Sequence, residues 1–146
     1  MFKINTYTFR SSSSDFEEGR GKSGAYLQYT CVRGNSILKK VGKPTQNINE
    51  ISPTCTQELE PSALSLLKIT AELPKIVEQC ALSQTPHTLA HYLYELGQAI
   101  NHFYQKVRIK ELESDIKELY LHILQSSIQA LTNGLSLLNI DVPERM

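Results

Sequence analysis

Six apolar side chains recur in residues 86–107 at alternating steps of four and three. This spacing places side chains on one face of an α-helix, whereas a half-buried strand would show strict alternation. A helix with so long an apolar face must bury it against other elements, so this segment constrains the whole fold. Thr85 as N-cap and Pro86 at the first helical position mark where the helix begins. The six residues are Leu89, Leu93, Leu96, Ile100, Phe103 and Val107.

Three further segments have helical patterns. The first covers about residues 23–41, with Gly34 weakening its middle. The second covers about residues 58–82, and we expect Pro74 to kink it or to split it in two. The last covers about residues 112–139. Together with the central segment, they predict an all-α fold, a helical bundle of about four main helices.

The chain has the length of one domain, with a segment of different composition at its start. Residues 1–22 include four consecutive serines and a glycine-rich end, so we expect a flexible N-terminal segment. Residues 23–146 are expected to form the helical domain. With 146 residues in all, the chain is long enough to bury a core without disulfides or metal.

Several classes of protein are disfavoured by the sequence. No run approaches the roughly 18 to 20 apolar residues that a membrane span needs, so no membrane association is expected. The N-terminus lacks the apolar region of a secretory signal. The three cysteines, Cys31, Cys55 and Cys80, are widely spaced and odd in number, which favours reduced thiols and a cytoplasmic location.

The sequence contains no convincing catalytic or cofactor motif. His87 and His91 have the i, i+4 spacing of a helical metal pair, but Thr88 stands where the H-E-x-x-H motif needs its glutamate. We therefore interpret both histidines as solvated surface residues. No G-x-S-x-G elbow is present. Neither catalytic residues, nor a metal site, nor a cofactor is expected.

The formal net charge is zero, but its distribution is uneven. Residues 1–43 contain eight basic and three acidic side chains, hence +5, and residues 44–146 contain seven basic and twelve acidic ones, hence −5. This asymmetry allows one end of the domain to approach phosphates. It is far weaker than the basic excess of a protein that binds duplexes nonspecifically.

One stripe of the first helix carries side chains suited to nucleobases. Tyr26, Tyr29 and Arg33 lie at i, i+3 and i+7, roughly 130° around the helix from the apolar face of Leu27 and Cys31. Phenol rings and guanidinium groups are flat and stack on unpaired bases. The alternative is that the tyrosines pad the helix against a neighbouring helix or a partner domain.

Three parts of the chain resemble a known family. Residues 23–33 read S-G-A-Y-L-Q-Y-T-C-V-R, similar to the T-G-P-Y-L-Q-Y-A-H-x-R of the helical anticodon-binding (DALR) domain of arginyl-tRNA synthetases. Residues 86–96, continuing to 101–104, resemble its third-helix motif. Residues 131–135 and 137–146 are similar to its L-x-N-G-L-x-L-L-G-x-x-V-P-E-R-M ending. The resemblance covers nearly the whole chain and implies the fold of the anticodon-binding domain of class I aminoacyl-tRNA synthetases, in a eukaryotic-like version.

The resemblance also implies a function and a site. In that family the domain reads the anticodon loop of arginine tRNA with positions that match five residues here: Tyr26, Tyr29, Arg33, Tyr104 and Met146. The signatures of the catalytic half are absent, so the chain is not expected to charge tRNA by itself. If the chain is a fragment, its parent is an arginine–tRNA ligase. Tyr120 stands where many members have an arginine.

Two hypotheses follow. In the first, the chain is a noncatalytic tRNA-binding module that recognises the anticodon loop of arginine tRNA by aromatic stacking and arginine contacts. In the second, it is a repurposed helical module for protein interaction or dimerisation that has lost RNA binding and pairs with itself or with another protein. Under the first hypothesis, a full synthetase is a further partner, which the module competes with or assists. The retained stripe favours the first hypothesis, and the neutral net charge favours the second.

Overall fold

The structure is a computed structural model that describes residues 24–45, 47–50, 59–112 and 114–146. The expected flexible segment 1–22 and the residue before the first helix lie outside the described residues. Within the described ranges no strand occurs, so the predicted all-α bundle is confirmed. Its α-helices are α1 (Gly24–Val41), α2 (Pro61–Ala71), α3 (Leu73–Ser83), α4 (Pro86–Lys106) and α5 (Ser114–Leu137).

Helix α4 lies at the centre of the bundle, as its apolar repeat predicts. All six side chains of that repeat are buried, and Leu93, Leu96 and Phe103 have no exposed surface. The helix packs against α1, α2, α3 and α5. Because α4 contacts all four other α-helices, side chains on its surface can hold side chains of α1 in place.

The second predicted helix is two helices, so the expected split at Pro74 is confirmed. Helix α2 ends at Ala71 and α3 begins at Leu73, which places Pro74 in the first turn of α3, where its missing N–H costs nothing. At the start of α2, the Glu60 carboxylate accepts a hydrogen bond from the Ser62 amide at 2.8 Å. Helix α2 begins with Pro61, so both helices have a proline in the first turn.

Two helices end in the same left-handed turn. Gln84 after α3 has φ of 55°, and the Thr85 amide donates to the Cys80 carbonyl at 3.2 Å. Asn139 after α5 has φ of 59°, and the Ile140 amide donates to the Leu135 carbonyl at 3.0 Å. This is the Schellman arrangement, which satisfies the last carbonyls and reverses the chain. It aims the tail that follows α5 back toward the bundle.

Thr85 is the N-cap of α4, where the sequence places it, but its side chain does not cap the helix backbone. Instead, the Thr85 carbonyl accepts from the Thr88 amide at 3.1 Å. None of the helices in the described ranges combines the length and the apolar character that crossing a bilayer requires.

Candidate nucleic-acid interface

On α1, Tyr29 and Arg33 lie off the buried face of the helix, as predicted, whereas Tyr26 packs partly against the core. Leu27 and Cys31 are buried in the core, whereas Tyr29 is 51% exposed and Arg33 is exposed. Tyr26, one turn earlier on the stripe, is half-buried. The helix therefore presents a phenol and a guanidinium to solvent while its aliphatic side chains hold it to the bundle.

Tyr26 is held against α4 by its hydroxyl and its ring. The Asn101 side-chain amide donates to the Tyr26 hydroxyl at 2.9 Å and to the Thr30 hydroxyl at 3.2 Å. The Thr30 hydroxyl in turn donates to the Tyr26 carbonyl at 2.9 Å. The Tyr26 ring lies 5.7 Å from that of Tyr94, tilted by 50°. These contacts fix the orientation of the start of the stripe.

Arg33 and Tyr104 form a stacked pair that joins α1 to α4. The Arg33 guanidinium carbon lies 5.1 Å from the centre of the Tyr104 ring, within the range of a cation–π contact. Tyr104 is half-buried and Arg33 is exposed. Tyr29 lies one turn before Arg33 on the same face of α1, so the two side chains are neighbours on the surface. The structure thus brings three of the five predicted site residues onto one surface.

The start of the C-terminal tail contacts the first half of α1. The Gln28 side-chain amide donates to the Asp141 carbonyl at 2.6 Å, and a Cβ added at Gly24 would lie 3.9 Å from the Ile140 side chain. Met146, five residues beyond that hydrogen bond, is 62% exposed. The tail is therefore anchored next to Tyr29 through Gln28, and its last side chain is accessible.

Sequence reasoning missed Tyr94 and Asn101 as part of this region. They lie seven residues apart, hence on the same face of α4, adjacent to its apolar repeat. Gly97 lies between them, and a Cβ there would come within 2.9 Å of Leu27. The sequence features that could have predicted this contact are Asn101 and Gly97 on a half-buried face of α4. A side-chain amide and a glycine allow a second helix to approach closely and form hydrogen bonds.

Two residues near the site are structural. Burial raises the pKa of the Cys31 thiol, an effect opposed by the hydrogen bond from the Thr132 hydroxyl at 3.8 Å, so this side chain remains a neutral thiol beneath the stripe. Tyr120 is buried, packs on Phe103 with ring centres 5.7 Å apart, and accepts from the Glu60 amide at 3.0 Å. The difference from the family at Tyr120 therefore supports packing at the start of α2.

The two histidines with metal-pair spacing do not form a metal site in the described part of the chain. His91 lies 3.3 Å from the Glu95 carboxylate, and both side chains are exposed. No group of three potential metal-ligating side chains is found within the described ranges. An exposed pair of this kind contributes little to stability.

The geometry agrees with a comparison to known families. The model of the family described as the DALR anticodon binding domain matches residues 27–146. This chain belongs to that family. The match includes Tyr29, Arg33, Tyr104 and Met146 and begins one residue after Tyr26.

Individual relatives support the same assignment. The arginine–tRNA ligase of Flavobacterium psychrophilum is 32% identical over 127 residues, covering 86% of this chain and 20% of the ligase. That of Pyrococcus abyssi is 33% identical over 126 residues, with the same shares covered. The solved structure of the Thermus thermophilus arginyl-tRNA synthetase superposes with a TM-score of 0.74 at 30% identity, over 86% of this chain and 21% of that one.

The chain spans about a fifth of the length of these relatives. Its 146 residues correspond to their anticodon-binding domain and do not contain their catalytic domain.

Proposed function

We propose that this domain binds the anticodon loop of arginine tRNA and recognises its bases through the surface formed by α1, α4 and the tail. The observation that carries the proposal is the Arg33–Tyr104 pair, whose guanidinium lies 5.1 Å above the ring beside the exposed phenol of Tyr29. Two flat, adjacent groups match the unstacked bases of a loop. Membership of the anticodon-binding family, and relatives that are arginine–tRNA ligases, indicate the class of RNA.

Each residue has a distinct role in this proposal. Tyr29 provides an exposed face on which one base stacks. Arg33, already in cation–π contact with the Tyr104 ring, stacks its free face on a second base and donates from its edge to a base or a phosphate. Tyr104 supports Arg33 from below. Tyr26 aligns the stripe through Asn101, and Met146 covers the base that lies nearest the tail.

The near-neutral charge of the chain fits recognition of a loop better than general affinity for RNA. Phosphate contacts supply sequence-independent affinity, and the chain has 15 basic and 15 acidic side chains. Stacking supplies roughly 1–3 kcal/mol per base. Base contacts therefore contribute a large share of the binding free energy, and preference for one anticodon is the expected consequence.

The decisive experiment is a binding titration at fixed, near-physiological salt. Three RNAs are compared: arginine tRNA, the same tRNA with its anticodon exchanged, and a noncognate tRNA. Anticodon reading requires tight binding to the first and weak binding to the other two. Equal binding to all three RNAs, or no binding to any of them, contradicts the proposal.

A matched pair of variants assigns the binding to the stripe. Tyr29→Ala removes the exposed ring and is expected to weaken binding of arginine tRNA by about 5- to 150-fold, the range of one lost stacking contact. Tyr29→Phe keeps the ring and is expected to bind nearly as the unchanged protein does. Because Tyr29 is 51% exposed, both variants should unfold at the same temperature as the parent. Equal affinity of the alanine and phenylalanine variants would contradict a stacking role.

A second candidate function, protein interaction or dimerisation, rests on a different surface. Leu64 and Leu67, neighbours on α2, are each 42% exposed. Leucines on an outward helix face are suited to contact with a second protein. Sedimentation of the purified chain tests this function, since a concentration-dependent dimer that Leu64→Glu dissociates would support it.

A further inference from the structure

A cavity of about 360 Å³ opens beside the Arg33–Tyr104 pair, where α1 and α4 end. Its wall is aliphatic and comes from both sides: Ile37 and Val41 from α1, Val107 and Ile109 from the chain after α4. Tyr104 also lines it. The same ring thus borders the cavity and supports Arg33, so the cavity continues the stacking surface instead of lying apart from it.

Two basic side chains and one carboxylate line this cavity. Arg108 and Lys110 are part of its lining, and both are exposed. Glu111 is the carboxylate of the lining, and its 3.4 Å contact with Arg108 is between side chains that are 68% and 81% exposed. Such a pair is weak, because water screens both charges. Arg108 therefore keeps donors for a second anionic partner.

Lysines in the last turns of the neighbouring helices add positive charge, which exceeds the partial negative charge of the two helix C-termini. Lys39 and Lys40 lie in the last turn of α1, and Lys106 lies in the last turn of α4. Of the seven basic side chains that follow residue 43, three are at positions 106, 108 and 110. Lys39 and Lys40 thus lie at the same end of the bundle as the three basic side chains at positions 106, 108 and 110.

We infer that this cavity binds one nucleotide adjacent to the anticodon, with its base against the aliphatic wall and its phosphate at Arg108 and Lys110. The inference rests on the proposed function, because the nucleotide belongs to the same RNA. An apolar wall, one aromatic ring and a cationic rim together match a nucleotide, which has a flat base and a negative phosphate. Charge complementarity favours this occupant over an apolar peptide.

The first test measures the salt dependence of binding. Removing two phosphate contacts from single-stranded RNA lowers the slope of log K against log salt by about 1.4. We expect this change in the double variant Arg108→Ala, Lys110→Ala. The control is Lys68→Ala, Lys75→Ala, which removes the same charge from exposed positions on α2 and α3. An unchanged slope in the first double variant, or an equal change in both, overturns the inference.

The second test asks whether a base enters the cavity. A stem–loop with the anticodon of an arginine tRNA is made with an abasic nucleotide immediately before or after the triplet. We expect one of these two RNAs to bind the unchanged protein about tenfold more weakly. The variant Val41→Phe fills the cavity from α1 and should no longer distinguish that RNA from the intact one. If the losses of binding free energy caused by the abasic nucleotide and by Val41→Phe are additive for both RNAs, no base occupies the cavity.

The outcomes separate this inference from the proposed function. If the unchanged protein prefers arginine tRNA but neither test responds, the anticodon surface stands and the cavity subsite is wrong. If the unchanged protein binds none of the RNAs, both are wrong. A thermal melt of Val41→Phe shows whether this variant is folded. The Arg108 and Lys110 variants change only exposed side chains, so they test the cavity subsite without altering the core.

Discussion

At the scale of single residues, burial and hydroxyl contacts between helices distinguish Tyr26, Tyr92 and Tyr120 from the exposed Tyr29. Tyr92 donates to the Ile69 carbonyl at 2.8 Å, and Tyr120 accepts from the Glu60 amide at 3.0 Å. The Tyr26 hydroxyl accepts from Asn101. By contrast, Tyr29 is 51% exposed. The distinction depends on contacts between helices far apart in sequence, so no local pattern reveals it.

Tyr92 should make the stability of the domain depend on alkaline pH. Burial, and secondarily the negative charge of Glu72, raise the pKa of Tyr92 to about 12 from its ordinary value of 10.0. The unfolded chain therefore loses the phenol proton first as the pH rises. The stabilisation from the neutral phenol is complete below pH 10 and is lost between pH 10 and 12, by roughly 2 kcal/mol.

The measurement is urea unfolding between pH 8 and pH 12, with Tyr92→Phe compared with the parent. The variant loses a hydrogen bond worth about 0.5–1.5 kcal/mol at neutral pH. Its stability should fall less steeply than that of the parent above pH 10. Tyr29→Phe, which changes an exposed ring, serves as the control and should follow the parent. Parallel curves for the parent and Tyr92→Phe would show that Tyr92 does not titrate in this way.

At the scale of elements, the long-period patterns of the sequence predict the helices well. All six residues of the repeat from Leu89 to Val107 are buried, because burial in a bundle follows the helical period, although the repeat omits Tyr92 and Gly97, which are buried on α4 as well. Pro74 predicts the break between α2 and α3, because proline disrupts a helix interior by its own geometry. Both signals are contained within a single element.

The same reasoning misjudges Gly34, which the sequence suggests is only a weak point of α1. Gly34 is buried, and a Cβ there would lie 2.4 Å from the Ile128 Cδ1 atom of α5. The glycine therefore permits α1 and α5 to approach closely. Which helices meet at a position is a property of the assembled bundle, and one sequence does not contain it in any local form.

We expect Gly34→Ala to destabilise the domain although alanine favours helices by about 1 kcal/mol. The added methyl group forces buried Ile128 to move, and overpacking of this kind costs about 1–3 kcal/mol. Asn35→Ala, at the adjacent exposed position, should be neutral or stabilising. Ile128→Val removes the Cδ1 atom, so its combination with Gly34→Ala should be less destabilised than the sum of the single variants in urea unfolding. Strict additivity would contradict the proposed clash.

At the scale of the whole molecule, the sequence identifies the residues of the candidate site better than their relations. The resemblance supplies Tyr26, Tyr29, Arg33, Tyr104 and Met146. It does not indicate that Arg33 stacks on Tyr104, or that Asn101 holds Tyr26, since both contacts require α1 and α4 to pack at one particular register. The role of all five in RNA binding stays a prediction, and the cavity at the basic end emerges only from the assembled helices.

Variants of the C-terminal tail test whether folding and RNA binding can be changed separately. Asn139 reverses the chain after α5, and the Gln28–Asp141 hydrogen bond anchors the tail on α1 before its final residues. Deleting Arg145 and Met146, both exposed, should leave the unfolding temperature within about 2 °C of the parent, as for surface changes within ±0.5 kcal/mol. If Met146 covers a bound base, the deletion weakens arginine tRNA binding by about tenfold, or roughly 1.4 kcal/mol.

The control for this deletion exchanges the two residues for alanines and keeps the chain length. Met146→Ala alone should reproduce most of the lost affinity, whereas Arg145→Ala should act mainly through the salt dependence of binding. The deletion, Met146→Ala and Arg145→Ala are compared in the same titration with arginine tRNA and its anticodon-exchanged form. Because a terminal residue has few packing contacts, a loss confined to the RNA with the arginine anticodon assigns the tail to recognition and not to folding. An equal loss for both RNAs would assign Met146 to general RNA contact and contradict a role in reading the anticodon.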